Sequence, residues 1–88
     1  MKVYHIEHNQ YSYLNGDRHS FVGIYATKGL ALMEINHHKN SILKQCPDMD
    51  IEVFNEDLKF GFSYGHPMGS MSFIPGIYIC YEREVSEK

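Results

Sequence analysis

Hydrophobic and polar positions change their spacing along this chain, and the changes divide it into short segments. The first segment, "KVYHIEH" at residues 2–8, mixes β-branched and aromatic residues with polar ones, which is typical of a β-strand. A polar stretch over residues 9–20 follows, with an Asn-Gly-Asp turn sequence at residues 15–17. The pattern therefore predicts an N-terminal strand, paired inside a sheet, and then a long hairpin loop.

The second apolar segment, "FVGIYA" at residues 21–26, has almost no polar position. A strand of this kind is expected to be covered on both faces or to lie centrally in its sheet. Gly23 inside it suggests a β-bulge or a close approach of another backbone.

A helical spacing begins after Thr27, whose hydroxyl suits an N-cap. The helix is expected to end at Cys46-Pro47, because Pro47 disfavours helical geometry in the residue before it. Four apolar residues fall on one stripe of this helix, namely Leu32, Ile35, Ile42 and Leu43.

Two further strands are predicted in the C-terminal half. Residues 50–57 alternate apolar and polar positions, as a half-exposed strand does, and "GIYICYERE" at residues 76–84 is apolar on both faces, as an interior strand is. Between them, "KFGFSY" at residues 59–64 is either a short strand or part of a loop. The order β-β-α-β-β predicts a single α+β domain over residues 1–88, with one helix on one face of a mostly antiparallel sheet of four to five strands.

Size and charge narrow the class of protein. The chain has 88 residues and a formal net charge of −3, and its eight Lys and Arg residues are scattered singly, so we expect no nucleic-acid binding. Two cysteines and no apolar leader after Met1 indicate a cytoplasmic protein with free thiols. The uncharged run at residues 60–81 contains too many Gly and Pro residues for a membrane-spanning helix, so we expect no membrane partner.

Three segments carry a resemblance to a known kind of protein. The sequences "VYHIEH", "FVGIYATKGLALMEI" and "GIYICYEREV" resemble small single-domain proteins of unknown function from bacteria and their phages. The resemblance covers roughly the first 45 residues and the last 12. It implies the same strand, strand and helix order and carries no catalytic residue across. It also implies a phage-type accessory protein or an inhibitor of a host defence protein.

The six histidines raise the question of a metal site. His5 and His8 would point to opposite faces of a strand, and the side chains of His37 and His38 would diverge by about 100° on a helix. The usual ligand spacings for zinc are absent from the sequence. We therefore expect no metal and no cofactor, and we expect His37 and His38 to be exposed helix residues.

Catalysis is not expected either. Cys80 lies in the middle of a strand among apolar residues, where a thiol is usually an inert, buried side chain. No nucleophile-elbow sequence and no phosphate-binding loop occurs.

A cluster of acidic residues surrounds the strand predicted after the helix. It is expected to be a solvated sheet edge, with a surface for a basic partner as the alternative. Its members are Asp48, Asp50, Glu52, Glu56 and Asp57.

The segment "FGFSYGHPMGSMSFIPG", residues 60–76, is the candidate binding site. It combines aromatic and Met residues with no charge, a composition favoured at the centres of protein interfaces. The alternative is that its aromatics fold back onto the core.

The predicted function is a non-catalytic protein-binding module, with homo-oligomerisation possible. The other function kept open is binding of a small polar ligand in a pocket at an oligomer interface. The predicted contact residues are Phe60, Phe62, Tyr64, His66, Met68, Met71 and Phe73, with Tyr11 and Tyr13 from the first loop.

Overall fold

A computed structural model describes residues 1–10, 18–65 and 76–85 of the chain. In chain order the elements of this part are β1 (Lys2–Gln10), β2 (Arg18–Tyr25), α1 (Lys28–Gln45), β3 (Asp50–Asn55), β4 (Lys59–Gly65) and β5 (Gly76–Glu84). All five strands belong to one antiparallel sheet in the order β2-β1-β5-β4-β3. The predicted α+β class, with one helix between the second and third strands, is confirmed.

The first and last strands lie side by side in the middle of the sheet. Ile6 of β1 is opposite Cys80 of β5, and both side chains are fully buried. The prediction that the N-terminal and C-terminal strands are interior strands is therefore confirmed. The two edges of the described sheet are β2 and β3.

Strand β2 is an edge strand with two exposed apolar side chains, so the prediction that it is covered on both faces or central is wrong. Its register along β1 shifts by one residue: Gly23 is opposite Ile6 and Phe21 is opposite Glu7, which leaves Val22 as the extra residue of a β-bulge. The bulge predicted from Gly23 is confirmed. It also explains the uninterrupted apolar run, because the bulge breaks the alternation of faces that a regular strand would show.

The helix begins and ends as predicted. The Thr27 side chain accepts a hydrogen bond from the Leu30 backbone N–H at 3.2 Å, and Cys46 is the C-cap. Ile35 is buried, but Leu32 of the predicted stripe is 37% exposed, and Ala31 is fully buried in its place. Ile42 and Leu43 pack against the core as half-buried residues.

Segment 59–64 is part of strand β4, which lies between β5 and β3. The side chains of Phe60, Phe62 and Tyr64 alternate onto the helix side of the sheet and are buried there. Glycine at position 61 allows close packing on β5: its φ is +155°, and a Cβ there would overlap the Tyr78 carbonyl oxygen. The first residues of the 60–76 segment therefore belong to the sheet and not to an excursion from it.

The core lies between α1 and one face of the sheet. Its buried members are Ile6, Ala31, Ile35, Met49, Phe60, Phe62, Tyr64 and Cys80. The opposite face, which no helix of the described part covers, is called the open face below. The acidic residues around β3 are all exposed, as predicted for a solvated edge. No helix within residues 1–10, 18–65 and 76–85 is long and apolar enough to cross a membrane.

Candidate functional site

The predicted binding residues fall into two groups. Phe60, Phe62 and Tyr64 are buried in the core, so their side chains are not available to a partner. The others, which are His66, Met68, Met71, Phe73, Tyr11 and Tyr13, lie outside the described residues and stay predictions. The strand ends that flank them meet at one end of the sheet, since Gly76 is opposite both Gln10 and Tyr64.

A cluster of His and Tyr side chains closes the core at this end. The ring of His8 stacks on Tyr78 with centroids 4.0 Å apart and planes within 4°, and the ring of His38 stacks on Tyr78 at 4.6 Å. The Nε2 atom of His8 lies 2.6 Å from the hydroxyl oxygen of Tyr64. These four side chains, called the ring cluster below, come from three strands and the helix.

Gly76 makes the contact between His8 and Tyr64 possible. Tyr64 lies on β4 and His8 on β1, and β5 runs between these two strands. The Tyr64 ring reaches across β5 over Gly76, where an added Cβ would lie 2.6 Å from the Tyr64 hydroxyl oxygen. A side chain at position 76 would therefore displace the Tyr64 ring.

Burial favours the neutral forms of His8, Tyr64 and Tyr78. Desolvation lowers the pKa of His8, and the nearby His38 lowers it further. Desolvation also raises the pKa of Tyr64, against a smaller opposite effect from a hydrogen bond with Gln10, and it raises the pKa of Tyr78. The Tyr64 hydroxyl and Nε2 of His8 share one hydrogen bond, and the tautomer of the His8 ring decides which of the two groups donates.

His38 is less exposed than predicted. Its Nε2 atom is shielded from solvent and lies 3.0 Å from a Glu34 carboxylate oxygen, yet it makes no hydrogen bond of acceptable geometry within the described residues. The Tyr78 ring that it covers is the reason for its burial, and that neighbour is brought by β5 from forty residues further along the chain. His37, in contrast, is exposed as predicted.

The open face carries the second candidate, at the edge strand β2. Because Val22 is the extra residue of the bulge, Phe21 and Ile24 both lie on the open face, opposite Glu7 and His5. Phe21 is 63% exposed and Ile24 is 58% exposed. The Phe21 ring packs edge-on against His5 with centroids 5.1 Å apart. Phe21, Ile24 and His5 are called the β2 patch below.

His5 has an unsatisfied polar atom beneath this patch. Its Nε2 atom is shielded from solvent and makes no hydrogen bond to any part of the chain that the structure describes. The nearest carboxylate oxygen, on Glu7, is 3.9 Å away, which is beyond hydrogen-bonding distance. Buried polar atoms usually have a hydrogen-bond partner, and within the described residues Nε2 of His5 lacks one.

Two depressions of the described part of the chain are lined by residues outside the ring cluster. A groove of about 70 Å³ lies between α1 and the β3–β4 side of the sheet, lined by Leu32, Ile35, Val53 and Phe60 among others. This volume holds a few water molecules and is well below the roughly 300–1,000 Å³ of typical ligand pockets. A shallower depression of about 360 Å³ at the β3–β4 turn is lined by Glu56, Asp57, Leu58, Lys59 and Tyr81.

The two cysteines differ in burial. Cys80 has no exposed surface, and burial raises the pKa of its thiol to about 11. Cys46 is half-buried, and both are free thiols. Among the described residues no group of three His, Cys, Asp or Glu side chains is arranged to hold a metal ion.

Sequence reasoning missed the ring cluster and the β2 patch for different reasons. The ring cluster depends on the strand order, which the sequence does not reveal. The patch depends on a one-residue bulge, for which Gly23 was a signal. A second signal is that residues 19–27 contain no charged side chain, which is unusual for an edge strand.

Comparison with protein-family models, with curated proteins and with solved structures finds no match for this chain.

Proposed function

We propose that this chain is a non-catalytic protein-binding module and that the β2 patch is part of its contact surface. The observation that carries the proposal is the bulge at Val22. It places two large apolar side chains, Phe21 and Ile24, next to each other on the open face with more than half of each exposed. Adjacent exposed apolar groups of this kind favour association, and aromatic side chains are enriched at interface centres.

Two further features of the patch support a protein partner over a small ligand. The outer backbone groups of β2 face away from β1, and an edge strand of this kind can pair with an added strand. The Phe21 ring packs against the half-buried His5 ring of β1, so the contact surface continues from β2 onto β1. The groove near α1, in contrast, is too small for an organic ligand, and the larger depression at the β3–β4 turn is shallow.

The chemistry of the described residues favours binding over catalysis. The most nucleophilic residue type present, cysteine, is represented in the core by a thiol that stays protonated near neutral pH, since the pKa of Cys80 is raised to about 11. Nε2 of His8 and the Tyr64 hydroxyl form a hydrogen bond in a part-buried position, and the Tyr64 ring belongs to the core. Their contact pairs two polar groups at the edge of the core and so has a structural explanation.

The proposal leaves two predictions from the sequence in place. Contacts from His66, Met68, Met71, Phe73, Tyr11 and Tyr13 stay predictions, as does the cytoplasmic location. A role as an accessory protein or as an inhibitor of a host protein rests on the resemblance alone. A resemblance of this kind does not establish a function.

Photo-crosslinking in cells tests the proposal. Phe21 is replaced by the photoreactive analogue benzoylphenylalanine, which keeps an aromatic ring at the patch. The matched control carries the same analogue in place of Val53, which is 66% exposed on the other edge strand. We expect protein adducts from position 21 and few from position 53. Absence of adducts at 21, or equal yields at both positions, would contradict the proposed surface.

A further inference from the structure

The partner that the β2 patch fits is, we infer, a second copy of this chain, with the two β2 strands paired antiparallel about a two-fold axis. The inference rests on the proposed function, because it names the occupant of the same surface. Pairing of this kind would join two five-stranded sheets into one continuous sheet. The charges of the two sheet edges, the register of β2 and the position of its bulge all favour this pairing.

Charge distinguishes the two edges of the sheet. At β3 the exposed Asp50 and Glu52 are flanked by three more acidic residues, so two copies meeting there would place like charges against each other. At β2, residues 19–27 carry no Asp, Glu, Lys or Arg. In a two-fold interface each surface meets its own copy, so a surface without charge is self-compatible and an acidic surface is not. The charges therefore favour self-pairing at β2 alone.

The bulge restricts the register of the pairing. Residues directly opposite each other in an antiparallel sheet must share a face. In β2 the faces are set by the register with β1: Phe21 and Ile24 face the open side, while Gly23 faces the helix side, as does Ser20 opposite His8. Val22 packs against the core on the helix side. Reversing the strand about the midpoint between Val22 and Gly23 matches every one of these faces.

That register has favourable side-chain pairs. It places Phe21 of each copy opposite Ile24 of the other, which covers all four exposed side chains in one apolar group on the open side. Val22 lies opposite Gly23, so a bulky residue meets a small one. Arg18, the charged residue at the start of the strand, lies beyond the paired residues in this register, because β2 of the other copy ends at Tyr25. A register shifted by one residue would instead place Phe21 opposite Gly23, on the other face.

Sedimentation equilibrium on the full chain tests the inference. We expect a concentration-dependent dimer for the native protein. Phe21→Ser and Ile24→Ser are each expected to weaken dimerisation by about tenfold or more, since each removes a large apolar side chain from the interface. Val53→Ser is the control, because it removes an equally exposed apolar side chain from the opposite edge. A native chain that stays monomeric from the micromolar to the millimolar range would overturn the inference.

A cysteine crosslink tests the register separately. In a Cys46→Ser background, the double variant Phe21→Cys/Ile24→Cys is expected to oxidise to a covalent dimer, because opposite Cα atoms at about 4.5–5.5 Å suit a disulfide. Phe21→Cys alone would place the two thiols about 10 Å apart along the strand and should crosslink poorly. Equal crosslinking of both variants, or none in the double variant, would overturn the register. Photo-adducts at position 21 with another protein and none with a second copy would overturn self-pairing while supporting the proposed function.

Discussion

Replacement of Phe62 tests whether the start of the Gly-rich segment is core or binding surface. The sequence predicted Phe62 as a contact residue for a partner, whereas the structure gives its side chain no exposed surface and places it in the centre of β4. The two interpretations differ in what a substitution does. A core residue controls the free energy of unfolding, and a contact residue controls binding.

The magnitude follows from burial. Phe→Ala at a fully buried position typically costs about 3–5 kcal/mol, from lost transfer free energy and the cavity left behind. An 88-residue domain has a total stability of about 4–13 kcal/mol at typical values per residue, so Phe62→Ala would consume much of it. Phe62→Leu keeps part of the apolar volume and should cost about 1–2 kcal/mol. For a chain of this size that corresponds to a fall in Tm of about 4–16 °C.

Thermal and urea unfolding, followed by circular dichroism, measure the effect. The matched control is Val53→Ala, because Val53 is directly opposite Phe62 on the same face of the sheet but is 66% exposed. We expect the control to change the free energy of unfolding by less than about 0.5 kcal/mol. If Phe62→Leu leaves the midpoint at the native value, or shifts it no more than Val53→Ala does, the placement of β4 in the core is wrong.

Three further predictions concern the ring cluster and the cysteines. Because the His8 pKa is lowered in the folded chain, the unfolded chain takes up a proton on His8 at a higher pH, so the folded state is most stable above about pH 6.5 and loses stability as the pH falls below it. Between pH 7.5 and 5.5 the urea midpoint should therefore fall more for the native chain than for His8→Phe. An equal fall in both proteins would refute the lowered pKa of His8. Gly76→Ala should displace the Tyr64 ring, destabilise the fold by about 1–3 kcal/mol and shift the His8 pKa measured by NMR, whereas an unchanged His8 titration would contradict the contact. Iodoacetamide should modify Cys46 well before Cys80 in the folded protein, and the two rates should converge in urea; equal rates without urea would exclude the burial of Cys80.

The sequence predicted the elements better than it predicted their arrangement. The N-cap at Thr27, the helix end at Cys46 and the interior strand at residues 76–84 each follow from local rules, in which a residue acts on its near neighbours along the chain. These features are confirmed because local physics decides them. The acidic edge at β3 was predicted for a similar reason, since a run of exposed charges is incompatible with a central strand.

Rules that act on near neighbours along the chain do not predict the strand order, and β2 shows why. An apolar run usually indicates a strand covered on both faces, and β2 has such a run but lies at an edge. Its Val22 and Tyr25 pack towards the core, while the bulge turns Phe21 and Ile24 to the open face. Phe21 and Ile24, two of the apolar residues that predicted a central strand, therefore form the proposed binding surface. Their exposure is explained if a second copy covers them.

The glycines of the segment from Phe60 to Gly76 have a related explanation. This segment holds four of the seven glycines in the chain, a composition typical of a flexible connector or an adaptable binding loop. Two of the four have packing roles in the described sheet. Gly61 allows β4 to approach the Tyr78 carbonyl, and Gly76 leaves the space through which Tyr64 reaches His8. In the sequence, a glycine that makes room for a neighbouring group looks the same as a glycine that makes a loop flexible. The strand order distinguishes the two roles, because it places Gly76 of β5 between Tyr64 and His8, whose side chains meet.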